Sequence, residues 1–248
     1  MEIGLPGNRS TDQGENMHIV YIHGNRASAS SFNFIRSKIT GHRETILEYD
    51  SDDGFDRNHD RMMEQLDGVE NIFFIAHSLG GIHAFHLAHH LGERVLGGVT
   101  MSTPYGGSSA ASLVACFMPF SQVMKDIRPT GGPILQAQAM ATPAVWTNIV
   151  SVAGASPFML EPNDGVVTLK SMRHRRDMRL VEVDCNHFEV VLSEQAVAII
   201  RQSIGDAEDA KGAIRPERRM AAAAGNMLQL FSNGQSKRRQ FALGATRR

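Results

Sequence analysis

The sequence predicts an α/β domain built on a doubly wound, mostly parallel sheet of about six strands with flanking helices, and three observations carry that expectation. Six short apolar runs recur along the chain without the polar alternation of a half-exposed sheet: HIVYIH, ETILEY, NIFFIA, VLGGVTM, NIVSVAG and RLVEVD. Stretches with helical spacing separate most of them, and β-α alternation favours a parallel sheet covered by helices. With 248 residues, of which 42% are hydrophobic, the chain can bury one core on both faces of such a sheet.

The elements follow in order. Residues 1–16 form a lead-in of Gly, Pro, Asn and charges, with no apolar run of signal-peptide length. HIVYIH starts the domain proper, expected over 17–204. A helix over Ser30–Ile39 separates it from ETILEY, and a helix over Asp56–Leu66 leads to NIFFIA. LGGIHAFHLAHHL then predicts a helix over Leu79–Leu91 before VLGGVTM. A longer helical region follows from Ser108 to Val145 and carries Phe117, Met118, Phe120, Met124, Ile134, Leu135, Met140 and Trp146. Periodicity alone does not distinguish a lid over an acyl pocket, spanning 108–146, from ordinary core helices. NIVSVAG and RLVEVD complete the strands.

Residues 205–248 hold 9 Lys and Arg against 4 Asp and Glu, whereas the rest of the chain is acidic on balance. Few large apolar residues occur there, so a flexible basic tail is expected, either solvated or contacting an anionic surface or nucleic acid. No run of 18 apolar residues suggests an integral membrane segment. The two cysteines, Cys116 and Cys185, are too few for a disulfide framework, and a reduced cytoplasmic location is the simplest expectation.

IFFIAHSLGG places a strand directly before Ser78 and a helix directly after it. A serine on such a sharp turn exposes its Oγ above the sheet, and its neighbours must be small because helix and backbone approach closely. Ala76, Gly80 and Gly81 satisfy that demand, with Ala76 standing where glycine is more common. An isolated serine here would be a helix cap; the strand-turn-helix context favours a nucleophile.

A serine hydroxyl needs an adjacent base, and that base needs an orienting acid. His187 follows RLVEVD, and Asp164 lies in a Pro-Asn-Asp-Gly loop beyond NIVSVAG; each sits where a parallel sheet collects its chemistry, after a strand's carboxyl end. Asp164 could also simply cap its turn, and Glu161 and Asp184 are the alternative acids. Negative charge on a substrate carbonyl needs backbone N–H donors. One follows the nucleophile, at Leu79; a second is expected from the loop after HIVYIH, where His23-Gly24 and then Asn25 are available.

VYIHGN, AHSLGG, STPYGGS, PNDGVV and NHFEVV, in this order, resemble segments of the α/β-hydrolase family, specifically its lipase and esterase branch; VMKDIRPTGGPILQ looks like the stretch before the strand leading to the acid. The resemblance spans roughly Met17 to Ile204 and begins at the family's third strand, so the usual leading hairpin is missing. It implies nucleophile Ser78, base His187, acid Asp164 and oxyanion donors Asn25 and Leu79. It further implies a serine hydrolase of carboxylic esters, acting on a small-molecule or lipid ester through an acyl-enzyme without a cofactor. Thioesterase or amidase activity, or a non-catalytic binding module on the same fold, are the alternatives. Dehalogenation would need an Asp in place of Ser78. His83, His86 and His90 share a helix face, but without a nearby carboxylate or thiolate they make an incomplete metal site, and no metal is expected. His77, one residue from the nucleophile, reads as its neighbour and not as the base.

Overall fold

The computed structural model describes residues 16–108, 121–156 and 159–213. Six parallel strands form one sheet: β1 His18–Ile22, β2 Arg43–Leu47, β3 Ile72–His77, β4 Val95–Met101, β5 Val145–Ser151 and β6 Arg179–Val183. Their spatial order is β2-β1-β3-β4-β5-β6, so the winding reverses between β1 and β3. Helices among the described residues are α1 Asn33–Lys38, α2 Phe55–Gln65, α3 Leu79–Leu91, α4 Gln122–Asp126, α5 Gly132–Ala139, α6 Leu169–Met172 and α7, residues 194–213.

The apolar runs are continuous because both faces of the inner strands are covered. Along β1, Ile19 and Tyr21 point into one cluster and Val20 and Ile22 into the other; along β3, Phe73 and Ile75 oppose Phe74 and Ala76 in the same way. One cluster packs the sheet against α2, α3 and α5 through Met62, Ile82, Phe85 and Ile134. The other packs it against α1 and α7 through Ile35, Val197, Ile200 and Ile204. Burying a side chain such as Phe85 or Ile200 contributes on the order of 1.5–3 kcal/mol.

Expectation and structure differ in three places. The edge strands β2 and β6 are partly exposed, since each has a strand neighbour on one side only. β5 begins at Val145, three residues before NIVSVAG, because pairing with β4 starts at Gly97↔Val145 and Trp146 is needed against Phe74 and Phe85. The helical region from Ser108 to Val145 is not one helix: α4 and α5 are separated at Arg128–Gly131, where Pro129 cannot continue the ladder. Val123, Ile134, Ala137 and Trp146 from this segment are core residues and Leu135 is exposed, while Phe117, Met118 and Phe120 lie outside the described residues.

Up to Ala207 the chain is one compact unit; Glu208–Arg248 form a second, of which 208–213 are helical and the rest, holding most of the basic tail, lies outside the described residues. No helix among the described residues is long and apolar enough to cross a membrane.

Candidate active site

The strand register aligns the carboxyl ends of the sheet. Ile22 pairs with Ala76, His77 with Met101, Met101 with Ile149, and Ser151 with Val183. The residues leaving these ends, His23–Asn25, Ser78, Ser102 and Cys185–His187, therefore meet along one edge of the sheet, at the winding reversal where open α/β sheets bind ligands.

Ser78 follows β3 and caps α3 with φ 53° and ψ −123°, a conformation that side-chain-bearing residues seldom adopt. Its N–H donates to the Met101 carbonyl at 2.8 Å, which anchors the turn to β4. The turn closes only because its surroundings are small. A Cβ on Gly80 would lie 2.3 Å from the carbonyl oxygens of both Ile22 and His23, and one on Gly24 would lie 3.0 Å from Nδ1 of His77 and 3.1 Å from Cβ of Ser78. The loop after β1 is thus pressed directly against the serine.

Ser78 Oγ donates to His187 Nε2 at 3.1 Å, and His187 Nδ1 donates to Asp164 Oδ2 at 2.7 Å. Exposure falls along this row from 9% at Ser78 to 3% at His187 and 0% at Asp164, so the hydroxyl end faces outward and the carboxylate end is sealed. Asp164 is fully engaged: Oδ1 accepts the N–H groups of Val166 at 3.0 Å and Val167 at 2.7 Å, and Oδ2 also accepts Ser151 Oγ at 2.7 Å. Burial by itself would raise its pKa, but the hydrogen bond and charge of His187 together with these donors outweigh burial and hold the carboxyl below its ordinary value. The loops carrying Asp164 and His187 are also tied by the main chain, His187 N–H donating to the Asp164 carbonyl at 2.9 Å. Of the alternative acids, Glu161 is exposed beside Lys170, and Asp184 is exposed.

Leu79 is the first residue of α3, where an N–H has no intrahelical acceptor. The loop carrying Asn25 is held from both sides. His23 donates from Nδ1 to the Gly24 carbonyl and accepts the Tyr49 N–H at Nε2, and the Arg26 N–H donates to Ser51 Oγ. Among the described residues the N–H groups of Asn25 and Leu79 have no acceptor. With a hydroxyl, an imidazole and a carboxylate in one hydrogen-bonded row, the edge can pass a proton from oxygen to nitrogen.

Sequence reasoning passed over Ser151 and read His77 only as a neighbour of Ser78, and the fold brings both against the row. Ser151 touches the acid; the signal available was a hydroxyl at the end of an apolar run. His77, buried behind the elbow, donates from Nε2 to the His187 carbonyl at 2.9 Å, with the two rings 4.8 Å apart. Burial first and the charge of His187 second push its pKa down to about 3, so it is neutral and donates from one nitrogen only. Cys185 is buried, and burial with the nearby carboxylates of Glu189, Asp164 and Asp184 pushes its thiol up to about 11, which leaves it protonated.

The helix-face histidines are absorbed by packing. His83 stacks on Phe55 with ring centroids 4.1 Å apart, His86 pairs its Nε2 with the Pro133 carbonyl, and His90 pairs with His59. Among the described residues no three His, Cys, Asp or Glu side chains are placed to hold a metal ion.

No protein-family model and no curated protein matches the sequence. Solved structures do match the architecture. A metagenomic carboxyl esterase superposes with a TM-score of 0.64 at 17% identity, over 82% of this chain and 80% of that one. Bacillus licheniformis lipase BlEst2 in its propeptide form gives 0.61 at 19% identity, over 73% of this chain and 48% of that one. Legionella pneumophila phospholipase PlaB, in complex with thio-NAD, gives 0.60 at 11% identity, over 78% of this chain and 61% of that one. The match to the lipase thus spans about half of its length. At such identities the likeness establishes the fold, and the chain has the α/β-hydrolase fold.

Proposed function

We propose that the protein is a serine hydrolase that cleaves carboxylic esters through an acyl-enzyme, with Ser78 as nucleophile, His187 as base and Asp164 as the acid that orients it. The observation that carries this reading is the buried hydrogen-bonded row from Ser78 Oγ through both nitrogens of His187 to Asp164 Oδ2, which starts from a strained strand-to-helix turn. The activities of the esterase, lipase and phospholipase that share the fold make an ester, small or lipid, the substrate class to test first.

The chemistry follows from the row. With Nδ1–H committed to Asp164, Nε2 carries the free lone pair, and it takes the Ser78 proton as Oγ bonds to the ester carbonyl carbon. The carbonyl π electrons move to oxygen, and the resulting oxyanion is met by the N–H groups of Asn25 and Leu79. When the tetrahedral intermediate collapses, the C–O bond to the alcohol breaks and the imidazolium on His187 protonates the departing oxygen. Water then repeats the sequence on the acyl-enzyme, giving its proton to His187 and releasing the carboxylic acid with Ser78 restored. Asp164, charged and held by four donors, stabilises the imidazolium in both halves without taking its proton.

The test is covalent and kinetic. The wild-type chain is expected to label with a fluorophosphonate and to hydrolyse p-nitrophenyl esters of graded chain length, and Ser78→Ala to do neither. Labelling or turnover that survives Ser78→Ala overturns the assignment.

A further inference from the structure

Three neighbouring strands lead to serines at their carboxyl ends. β3 runs into Ser78, β4 into Ser102, and β5 ends on Ser151. The last two are fully buried. Ser151 Oγ donates to Asp164 Oδ2 at 2.7 Å, the same oxygen that accepts His187 Nδ1. The Ser151 and Ser102 hydroxyls are 2.6 Å apart. An ionised carboxylate only accepts, so the Ser151 hydrogen points at Asp164 and the Ser102 hydrogen points at Ser151. The row is therefore Ser102 to Ser151 to Asp164, meeting His187 at a shared oxygen.

The backbone is bent to make this row. Ser102 has φ 52°, in the left-handed region, yet its N–H still donates to Ile149 at 2.9 Å, so the turn leaves the sheet ladder intact while aiming the side chain at β5. A residue held this way without consequence would be expected to be glycine or asparagine. Two buried hydroxyls that polarise one another also strengthen the donor end of the row, since each hydrogen bond in a chain increases the polarity of the next.

Resting on the hydrolase reading above, we propose that Ser151, backed by Ser102, is a positioning residue for the catalytic acid: it pins Oδ2 of Asp164 and draws off part of its charge, and thereby sets how strongly His187 is held. Two consequences follow. Without the Ser151 hydroxyl, Oδ2 has one donor fewer and pulls harder on His187 Nδ1–H, and the carboxylate itself is less stabilised. Both changes move the acidic limb of the pH-rate profile upward. The carboxylate also gains rotational freedom, which lowers kcat and leaves KM nearly unchanged, because neither serine touches substrate. The titratable groups that act on Asp164 include His187, His77 and Cys185, with the carboxylates of Glu189 and Asp184 beside Cys185; His77 at about 3 and Cys185 at about 11 titrate outside the working range.

The experiment compares wild type, Ser151→Ala, Ser151→Cys and Ser102→Ala in the full chain, by p-nitrophenyl butyrate kinetics from pH 5 to 9 and by the downfield proton NMR signal of His187 Nδ1–H. Ser151→Ala is expected to lower kcat about tenfold, to raise the midpoint of the acidic limb by roughly half a pH unit, and to shift the Nδ1–H signal. Ser102→Ala should move all three the same way by less, and Ser151→Cys should recover part of the loss because a thiol is a weak donor. An unchanged limb and an unmoved Nδ1–H signal in Ser151→Ala overturn the proposal even if kcat falls, since a purely structural loss would do that alone. Should Ser151→Ala fail to fold, Ser102→Ala decides by the same readouts. The NMR arm needs no turnover, so an inert wild type would sink the hydrolase reading while the Nδ1–H signal still tests whether Ser151 governs the acid.

Discussion

At the scale of single residues, the proposed mechanism gives each group in the row one role and a distinct failure. Ser78→Ala removes the attacking oxygen and is expected to lower turnover on the order of 10⁴- to 10⁶-fold with the thermal unfolding curve unchanged, because the methyl occupies the same turn. Asp164→Asn keeps the shape but presents an amide to His187; the imidazole is then held in the wrong tautomer, and turnover is expected to fall about 10³- to 10⁴-fold. Asp184→Asn, at an exposed carboxylate off the row, should stay within about threefold of wild type. The reverse ranking would move the acid. Cys185→Ser should keep nearly full activity, since a buried thiol pushed up to about 11 is no nucleophile at neutral pH; loss of turnover there would contradict the assignment of Ser78.

At the scale of elements, α3 is the part on which the site depends. Its first turn contains Gly80 and Gly81, each costing about 1 kcal/mol of helix propensity relative to alanine. The helix accepts that cost because its N-terminus must come against the carbonyls of Ile22 and His23. Gly80→Ala would place a Cβ 2.3 Å from two backbone oxygens that belong to the β1 end and cannot rotate away. The expected outcome is destabilisation by more than ~2 kcal/mol, together with displacement of the loop carrying Asn25. Urea unfolding and kcat measured on the same variant check both. A variant as stable and as active as wild type would mean that the loop does not sit against the elbow.

At the scale of the whole molecule, buried histidines make the fold sensitive to acid. Burial first holds His77 at about 3 and His59 at about 4, and lowers His83 well below its ordinary value. Each is neutral in the folded protein and free to protonate near 6.5 once unfolded. The unfolded chain therefore binds more protons between 6.5 and the lowered folded values, and stability falls as pH drops through that window and is complete above it. For His77, buried and held at about 3, the loss by pH 5 relative to pH 7 is about 2 kcal/mol, and His83 acts in the same direction. Urea midpoints should decline from just below pH 6.5, well before carboxylates such as Asp164 begin to protonate. His83→Phe, which preserves the ring stacked on Phe55, should flatten that decline. An unchanged slope in His83→Phe would show that His83 is charged in the folded state.

The sequence by itself determined the order of strands and helices, the elbow at Ser78 and the placing of His187 and Asp164 after strand ends, because each of these is local. A period of apolar residues reports which side of an element is covered, and a strand-turn-helix requires small neighbours within a few positions of the serine. Asp164 was the favoured acid at that level, with Glu161 and Asp184 as the alternatives, and only the tertiary structure decided that Asp164 meets His187. That choice depends on a loop whose turn is closed by the N–H groups of Val166 and Val167 and whose main chain is tied to the base loop. The start of β5 was likewise decided by pairing with β4 and by the need for Trp146 in the core, neither of which leaves a mark in the periodicity. Ser151 and Ser102 were invisible for the same reason. A serine at a strand end is ordinary until folding puts its hydroxyl 2.7 Å from a buried carboxylate, since a hydrogen bond is a property of two positions in space and a sequence records only one of them at a time.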